Sequence, residues 1–263
     1  MHPIAFKLGT VAIHWYGIMV AFGFLVALWA AARRGALDGF TPDQILDLGP
    51  WLIVGAIAGA RTLYVLTFWR EQFADKPFWE VFMIQHGGLV FYGGFIGASL
   101  AGILYARLKK LQIWKLFDTI APSIALGYAF GRIGCLLNGC CYGRACSLPW
   151  AITFPPPVEC AGTPVHPTQI YESLLGLCLY GGLAWLYRRK KFDGQIFAIY
   201  LIVYPLLRSF VEMFRGDYPP NQHFLGGRAT PAQLVSIGIL LGGLCLLFLL
   251  PRTTPASGSG VKQ

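Results

Sequence analysis

The chain has 263 residues, of which 56% are hydrophobic and only 13% are charged, and its mean hydropathy is +0.56. A soluble domain carries roughly a quarter charged residues, so this composition excludes an ordinary soluble protein and indicates an integral membrane protein. The net charge of +9 does not indicate nucleic-acid binding. The lysines and arginines fall at the ends of apolar segments, where acidic membrane lipid is their natural partner.

Apolar segments long enough to cross a bilayer recur along the chain. They predict an all-α integral membrane protein with about seven transmembrane helices. Residues 1–252 are expected to form a single polytopic membrane domain, and the Ser- and Gly-rich residues 253–263 a disordered cytoplasmic tail. The predicted spans are residues 15–32, 45–69, 88–106, 116–137, 169–187, 196–214 and 231–250.

One set of connecting loops carries about twice as many lysines and arginines as the other, and the richer side is expected to be cytoplasmic. This rule predicts an N-terminus outside the cell membrane and a C-terminus in the cytoplasm. The long connection that follows the fourth span then lies outside, in oxidising surroundings. We therefore expect at least one disulfide in it, with Cys146–Cys160 as the first candidate.

Three arginines, Arg61, Arg132 and Arg208, fall within or at the rim of apolar spans. A charge at that depth costs a few kcal/mol, so each is expected to face a polar cavity and to have a partner. A structural ion pair is one interpretation, for example Arg208 with Glu212 four residues later. Because the three arginines lie on three different predicted helices, a shared anion site is favoured.

Two segments contain the most closely spaced candidate functional residues. Residues 131–144 read Gly-Arg-Ile-Gly-Cys-Leu-Leu-Asn-Gly-Cys-Cys-Tyr-Gly-Arg and close the fourth span. Their glycines permit close backbone approach, and an arginine beside exposed amides suits a phosphate. Residues 166–172 read His-Pro-Thr-Gln-Ile-Tyr-Glu and open the fifth span, where His166 can exchange a proton near neutral pH. A capping cluster with a solvated histidine is the simpler alternative.

Three further segments are informative. Arg208, Glu212 and Arg215 share one helix face late in the sixth span, as a binding face or as a rim salt-bridge cluster. Residues 85–94 contain two glycine pairs, which let another helix or a lipid come close. Residues 14–17 read His-Trp-Tyr-Gly, which is also typical of an aromatic anchor at the membrane interface.

In this order, the five segments resemble the prolipoprotein diacylglyceryl transferase family, the seven-span enzymes of bacterial lipoprotein maturation. The likeness runs from about residue 15 to residue 233. The family's His-Pro-(Ser/Thr)-Gln-(Leu/Ile)-Tyr-Glu is complete at residues 166–172, and its Gly-Arg-x-x-Tyr is matched loosely at residues 59–64. The remaining matches are Arg132, Asn138 and Gly143 in the Gly-Arg pattern, Arg208, Glu212 and Arg215 in Arg-x-x-x-Glu-x-x-Arg, and Tyr16 in Trp-Tyr-Gly.

The sequence departs from the family pattern at three positions. Cys135 stands where the family has asparagine, and Cys140 stands where it has glutamate. Tyr92 precedes the second glycine pair, where well-known members have a histidine, and His86 lies ahead of the first pair. The fold and the phosphate site are therefore expected to carry over, whereas the identity of the base is left open.

The resemblance implies transfer of a diacylglyceryl group from phosphatidylglycerol to the lipobox cysteine thiol in the signal peptide of a prolipoprotein. A thioether forms and glycerol phosphate leaves, at the bacterial cytoplasmic (inner) membrane, without a metal or redox cofactor. The expected catalytic residues are Arg132, Arg208, His166 and Tyr92. The expected substrate-binding residues are Arg132, Tyr16, Arg61, His86, Asn138, Gly143, Gln169, Tyr171, Glu172, Glu212 and Arg215.

The cysteines support other interpretations. Cys135, Cys140, Cys141 and Cys146 would suit an intramembrane thiol–disulfide oxidoreductase, although their spacing is not the C-x-x-C of redox motifs. Structural zinc is less favoured, because the usual paired cysteine knuckles are absent from the sequence. A lipid-binding or transport bundle without catalysis is the third alternative.

Overall fold

The computed structural model describes residues 4–9, 11–74, 76–216 and 231–253. These residues are mostly helical, with two small antiparallel two-stranded sheets, β1–β2 and β3–β4. The predicted tail lies outside the described residues, apart from Thr253 at the end of the last helix. The elements are β1 (Ile4–Leu8), β2 (Val11–His14), α1 (Trp15–Gly35), α2 (Pro42–Leu46), α3 (Leu48–Thr67), α4 (Phe91–Leu108), α5 (Ile113–Asn138), β3 (Ile152–Thr153), β4 (Pro164–Val165), α6 (Thr168–Tyr187), α7 (Gln195–Glu212) and α8 (Pro231–Thr253).

Six described segments are long and apolar enough to cross a membrane: Trp15–Asp38, Pro42–Thr67, Phe91–Leu108, Ile113–Asn138, Gln195–Glu212 and Gln233–Pro251. The prediction of an all-α integral membrane protein is confirmed. Helix α6 coincides with the predicted fifth span but is not one of the six. Its first turns carry Thr168, Gln169, Glu172 and Ser173, and all four are buried inside the protein. The number seven and the orientation stay predictions.

The chain divides into two compact units, residues 32–116 and residues 1–31 with 117–263. We describe each by itself, and the single membrane domain stays a prediction. In the unit of residues 32–116, α3 and α4 approach so closely that they leave no space for side chains. A Cβ atom on Gly97 would lie 2.1 Å from the carbonyl oxygen of Gly55, and one on Gly59 would lie 2.3 Å from that of Gly93. These glycines, spaced four residues apart on both helices, form a small-residue helix interface.

Arg61 on α3 fixes the segment that precedes α4. Its guanidinium donates hydrogen bonds to the carbonyl oxygens of Glu80 at 2.7 Å, Val81 at 2.8 Å and Gly87 at 2.7 Å. Buried backbone carbonyls need such donors, and the arginine is itself buried. The structure thus gives Arg61 a role in holding a loop, and its predicted part in substrate binding stays a prediction.

The other unit has its apolar core between α5, α6 and α7, formed by Ala121, Ala125, Leu179, Leu183, Tyr187, Ile196 and Tyr200. Asp118 on α5 is fully buried and accepts hydrogen bonds from the backbone N–H groups of Gly194 at 2.9 Å and Phe197 at 3.0 Å. Its carboxylate also pairs with Lys190 at 3.3 Å. Because these amides belong to the start of α7, a buried carboxylate stabilises that helix end.

Two features differ from the sequence predictions. The β1–β2 hairpin precedes α1, and a search for apolar spans does not detect so short an alternating pattern. The predicted Cys146–Cys160 disulfide is wrong, because all seven cysteines are free thiols. Backbone hydrogen bonds hold the connection between α5 and α6 instead. The Cys146 amide donates to the Pro164 carbonyl at 3.0 Å, while Cys160 lies in a separate turn that accepts from the Thr163 amide at 3.1 Å.

Replacing Gly97 with alanine should destabilise the protein, because the new methyl group meets backbone atoms that cannot rotate away. We expect a loss of about 1–3 kcal/mol, typical of overpacking. Thermal unfolding of the purified protein in detergent measures it. The control is Gly181→Ala on α6, where a Cβ meets nothing within 4 Å, and this variant should be neutral or slightly stabilised. Equal melting temperatures for the two variants would contradict the interface.

Candidate active site

A buried carboxylate, that of Glu172 on α6, lies between two arginines from neighbouring helices. Its Oε2 is 2.8 Å from Nε of Arg132 on α5, and its Oε1 is 3.2 Å from a terminal nitrogen of Arg208 on α7. Arg208 also pairs with Glu212 one turn later on the same helix. Among the described residues, no donor meets either Glu172 oxygen at hydrogen-bonding angles, so these contacts are ion pairs rather than aligned hydrogen bonds.

Arg132 retains donor capacity for a ligand. Within the described part of the chain, its ion pair uses Nε, and neither terminal nitrogen has a hydrogen-bond partner. The guanidinium carbon lies 4.8 Å from the centroid of the Tyr128 ring, a cation–π contact that orients the group. Four N–H groups in a planar fork remain, which is the donor arrangement that recognises a phosphate.

Two tyrosines belong to this site, although the sequence analysis did not single them out. The rings of Tyr128 and Tyr204 meet edge to face with centroids 5.3 Å apart, and both line a small pocket with Glu172 and Arg208. Tyr128 precedes Arg132 by four residues on one helix face, a spacing that the sequence contains. Tyr204 has no such local signal, because only the packing of α7 against α5 brings it there.

The segment after α5 is joined by backbone bonds to the start of α6 and the end of α7. The Gly143 amide donates to the His166 carbonyl at 2.9 Å, and the Arg144 amide donates to the Phe214 carbonyl at 2.8 Å. A Cβ on Gly143 would lie 2.5 Å from that of His166. Gly143 is therefore needed for close approach, and Arg215 is brought beside it by a backbone bridge. These contacts unite three of the predicted motifs.

His166 has a defined partner at the same end of the site. Its Nδ1 is 3.3 Å from the hydroxyl oxygen of Tyr171, which accepts a hydrogen bond from the indole N–H of Trp150 at 2.8 Å. The Phe214 ring packs on the imidazole with centroids 5.3 Å apart. The histidine is half-buried and held from one side, so its other ring nitrogen is the one that can meet a substrate.

Asn138, Gln169 and Tyr16 also lie in this unit. Asn138 ends α5 and lines an open cavity of about 420 Å³ together with Cys140, Cys141 and residues 154–159. The Gln169 amide nitrogen donates to the Cys140 carbonyl at 2.6 Å, so this fully buried side chain positions the backbone. Tyr16, at the start of α1, packs against the position of Gly134 on α5.

Three thiols gather beside the arginines. The sulfur atoms of Cys135, Cys140 and Cys141 all lie within 4.8 Å of one another. Hydrogen bonds from Cys135 and Cys140 lower the pKa of the Cys141 thiol, and the positive charges of Arg215 and Arg132 act in the same direction. Cys146, the fourth member of the predicted cluster, is not among these three.

Tyr92 and His86 belong to the other unit, together with Arg61. Tyr92 opens α4 and is about half exposed, and the side chain of His86 lies outside what the structure describes. Their predicted roles at the site stay predictions. Within the unit of residues 1–31 and 117–263, the ion pairs and backbone bonds bring Arg132, Arg208, Arg215, Glu172, Glu212, Gly143, His166, Tyr171 and Gln169 together.

Comparison with known proteins identifies the family. The sequence profile described as prolipoprotein diacylglyceryl transferase matches residues 3–249. A protein of Finegoldia magna named phosphatidylglycerol–prolipoprotein diacylglyceryl transferase is 37% identical over 94% of each chain. Proteins of the same name from Nitratidesulfovibrio vulgaris and Acaryochloris marina are 34% and 36% identical over 93% and 96% of this chain, and over 92% and 93% of their own lengths.

The apolar helices and these relatives thus define a multi-pass membrane transferase of the bacterial inner membrane. The chain belongs to the prolipoprotein diacylglyceryl transferase family, whose enzymes act in lipoprotein biosynthesis. The predicted family is confirmed. The oxidoreductase and the non-catalytic bundle are not favoured.

Neutralising Glu172 should destabilise the fold. In Glu172→Gln, two mostly buried arginines, whose side chains are 14% and 10% exposed, lose a shared counter-charge, and breaking a buried pair typically costs about 3–5 kcal/mol. The melting temperature of the purified protein measures the loss. Glu159→Gln is a matched control, since Glu159 is exposed and the amide oxygen can still accept the Tyr142 hydroxyl at 3.0 Å. If Glu172→Gln has the same melting temperature as the wild type, Glu172 does not hold the arginines.

Proposed function

We propose that the chain transfers the diacylglyceryl group of phosphatidylglycerol to the lipobox cysteine thiol of a prolipoprotein signal peptide. The observation that carries this proposal is the Arg132–Glu172–Arg208 arrangement, in which two guanidinium groups share one carboxylate. The names of the relatives support the two substrates.

Charge balance supports a monoanionic ligand. The site combines the positive charges of Arg132, Arg208 and Arg215 with the negative charges of Glu172 and Glu212, which leaves one net positive charge. The phosphodiester of phosphatidylglycerol carries one negative charge, so its binding would neutralise the site. A lipid with a zwitterionic headgroup would bring an additional cation next to the arginines, which is unfavourable.

In the proposed reaction, the lipobox thiolate attacks the glyceryl carbon that bears the phosphate ester. The sulfur–carbon bond forms, the carbon–oxygen bond breaks, and glycerol phosphate takes the electron pair of that bond. Arg132 and Arg208 stabilise the negative charge that develops on the leaving oxygen. The thiol proton must be removed first, because the thiolate is the nucleophile.

We assign the proton acceptor to His166. If its Nδ1 donates to the Tyr171 hydroxyl oxygen, the Nε2 lone pair is available to a thiol, and Trp150 fixes the tyrosine from its other side. In that tautomer the imidazole can act as the general base. Tyr92 and His86 remain the alternative proton acceptors that the sequence predicts.

The reaction is tested with phosphatidylglycerol vesicles and a synthetic lipobox peptide. The peptide should gain the mass of one diacylglyceryl group, and the same peptide with its cysteine changed to serine should gain none. Vesicles of phosphatidylcholine alone serve as the headgroup control and should support no transfer. A folded preparation that never modifies the cysteine peptide would refute the proposal.

Arg132→Lys should fail nearly as badly as Arg132→Ala, because lysine keeps the charge but loses the planar fork that holds a phosphate. Losing one contact to a developing anion should cost about 3 kcal/mol, or roughly a hundredfold in rate. Turnover of the lipobox peptide measures it, with Arg107→Lys at the exposed end of α4 as the control. Near-normal turnover by Arg132→Ala would show that the phosphate binds elsewhere.

His166→Ala should lower kcat about 10²–10⁴-fold, which is the usual contribution of a general base. Tyr171→Phe should cause a smaller loss of kcat, since it removes the partner of Nδ1 but leaves the imidazole. Tyr180→Phe, on the same helix, is the control. A His166→Ala variant with unchanged kcat would show that His166 is not the proton acceptor.

A further inference from the structure

Three cysteines converge where α5 ends, and the proposed transfer reaction does not use them. Cys135 lies in the last turn of α5 and is buried, while Cys140 and Cys141 follow Gly139 and are half-buried. All three are free thiols with their sulfur atoms within 4.8 Å of one another. Among the described residues, no other group of His, Cys, Asp or Glu side chains lies together in this way.

The backbone that carries these thiols is held from two sides. The Cys140 amide donates to the Cys135 carbonyl at 3.1 Å, which closes the turn after the helix. The Thr168 hydroxyl donates to the Cys141 carbonyl at 2.7 Å, and the Gln169 amide donates to the Cys140 carbonyl at 2.6 Å. Thr168 and Gln169 are fully buried. The spacing of the sulfurs is therefore fixed by α6 as well as by local sequence.

The distances between the three sulfur atoms are close to those of sulfur ligands on one metal ion. A zinc–sulfur bond is about 2.3 Å, so two sulfurs on one tetrahedral ion lie about 3.8 Å apart. Sulfur atoms within 4.8 Å reach that spacing by small side-chain rotations. We infer that Cys135, Cys140 and Cys141 form a binding site for one soft, thiophilic cation, Zn²⁺ or Cu⁺, with thiolate ligands.

Three features around the cysteines favour a metal ion: an open cavity, a buried oxygen atom without a hydrogen-bond partner, and nearby positive charge. Cys140 and Cys141 line the open cavity of about 420 Å³, so an ion can enter and a water molecule can complete its coordination. The buried Gln169 Oε1, on the side chain that holds the Cys140 carbonyl, has no hydrogen-bond partner among the described residues. Arg132 and Arg215 lie within electrostatic range of the Cys141 sulfur. Zn²⁺ with three thiolates carries one net negative charge, which these arginines stabilise.

The site is tested on the full-length protein in detergent, kept reduced with a phosphine and free of metal. Titration with Co²⁺, a coloured substitute for Zn²⁺, should produce thiolate-to-metal charge-transfer absorption that saturates at one ion per chain. One equivalent of Zn²⁺ should abolish it. A parallel titration with Cu⁺ against a coloured chelator should also saturate at one ion per chain if Cu⁺ is the preferred ion.

Cys140→Ser and Cys141→Ser should each weaken binding by more than the roughly 10–100-fold that loss of an outer-shell partner costs. Cys146→Ser, whose sulfur is outside the cluster, should bind as the wild type does. Alkylation of the wild-type protein gives a readout that does not depend on variant folding. Bound Zn²⁺ or Cu⁺ should protect three thiols, counted by mass, while Cys146 and Cys160 react at unchanged rates.

Three results would overturn the inference: no saturable binding of either ion, equal loss of binding in Cys146→Ser, or no protection from alkylation. A disulfide between two of the three cysteines that persists in protein prepared without reductant, with no metal bound after reduction, would identify a redox pair instead. Because absorption and protection are read without turnover, failure of this site and failure of the transfer reaction are distinguishable.

Discussion

The shared carboxylate of Glu172 is the constraint on which the site depends. Two guanidinium groups on α5 and α7 cannot approach within an apolar helix bundle unless a counter-charge lies between them. Glu172 enters from α6 and supplies that charge at 2.8 and 3.2 Å. The three helices that form the apolar core thus also meet in one ion-pair network. The anion binding that we propose would then be a consequence of how these three helices pack.

Backbone hydrogen bonds join the segment after α5 to the same site. The Gly143 and Arg144 amides donate to the carbonyls of His166, just before α6, and Phe214, just after α7, and these contacts position the His166 segment next to Arg215. No disulfide joins the described cysteines, so hydrogen bonds and one close glycine contact hold the connection between α5 and α6 in place. A rigid backbone around a flexible ligand is what preorganised charge stabilisation requires.

Sequence reasoning found the parts of this site that have local signals. Arginines inside apolar spans and the His-Pro-Thr-Gln-Ile-Tyr-Glu segment are visible without a fold. The sequence does not show which side chains contact backbone atoms, or aromatic rings that are distant in the chain. Arg61 is bound by carbonyls of a loop about 20 to 27 residues away, and Tyr204 reaches Tyr128 only through helix packing. The cysteines lie in a connection that is predicted to be outside, which favours a disulfide, but a pattern of cysteines does not show which sulfurs meet.

The cysteine positions determine the net charge beside the arginines, which connects the proposed thiol site to the proposed phosphate site. Cys140 stands where the family pattern has glutamate, so this chain has one negative charge fewer beside Arg132 than that pattern supplies. With Cys140 as a neutral thiol, the arginines exceed the glutamates by one, and a phosphodiester is the group that balances them. Three thiolates on a Zn²⁺ ion would carry one negative charge, which would offset that excess and weaken the attraction of the site for a phosphodiester. Occupancy of the thiol site and affinity for the anionic lipid are therefore expected to be electrostatically coupled, because both act on the same guanidinium groups.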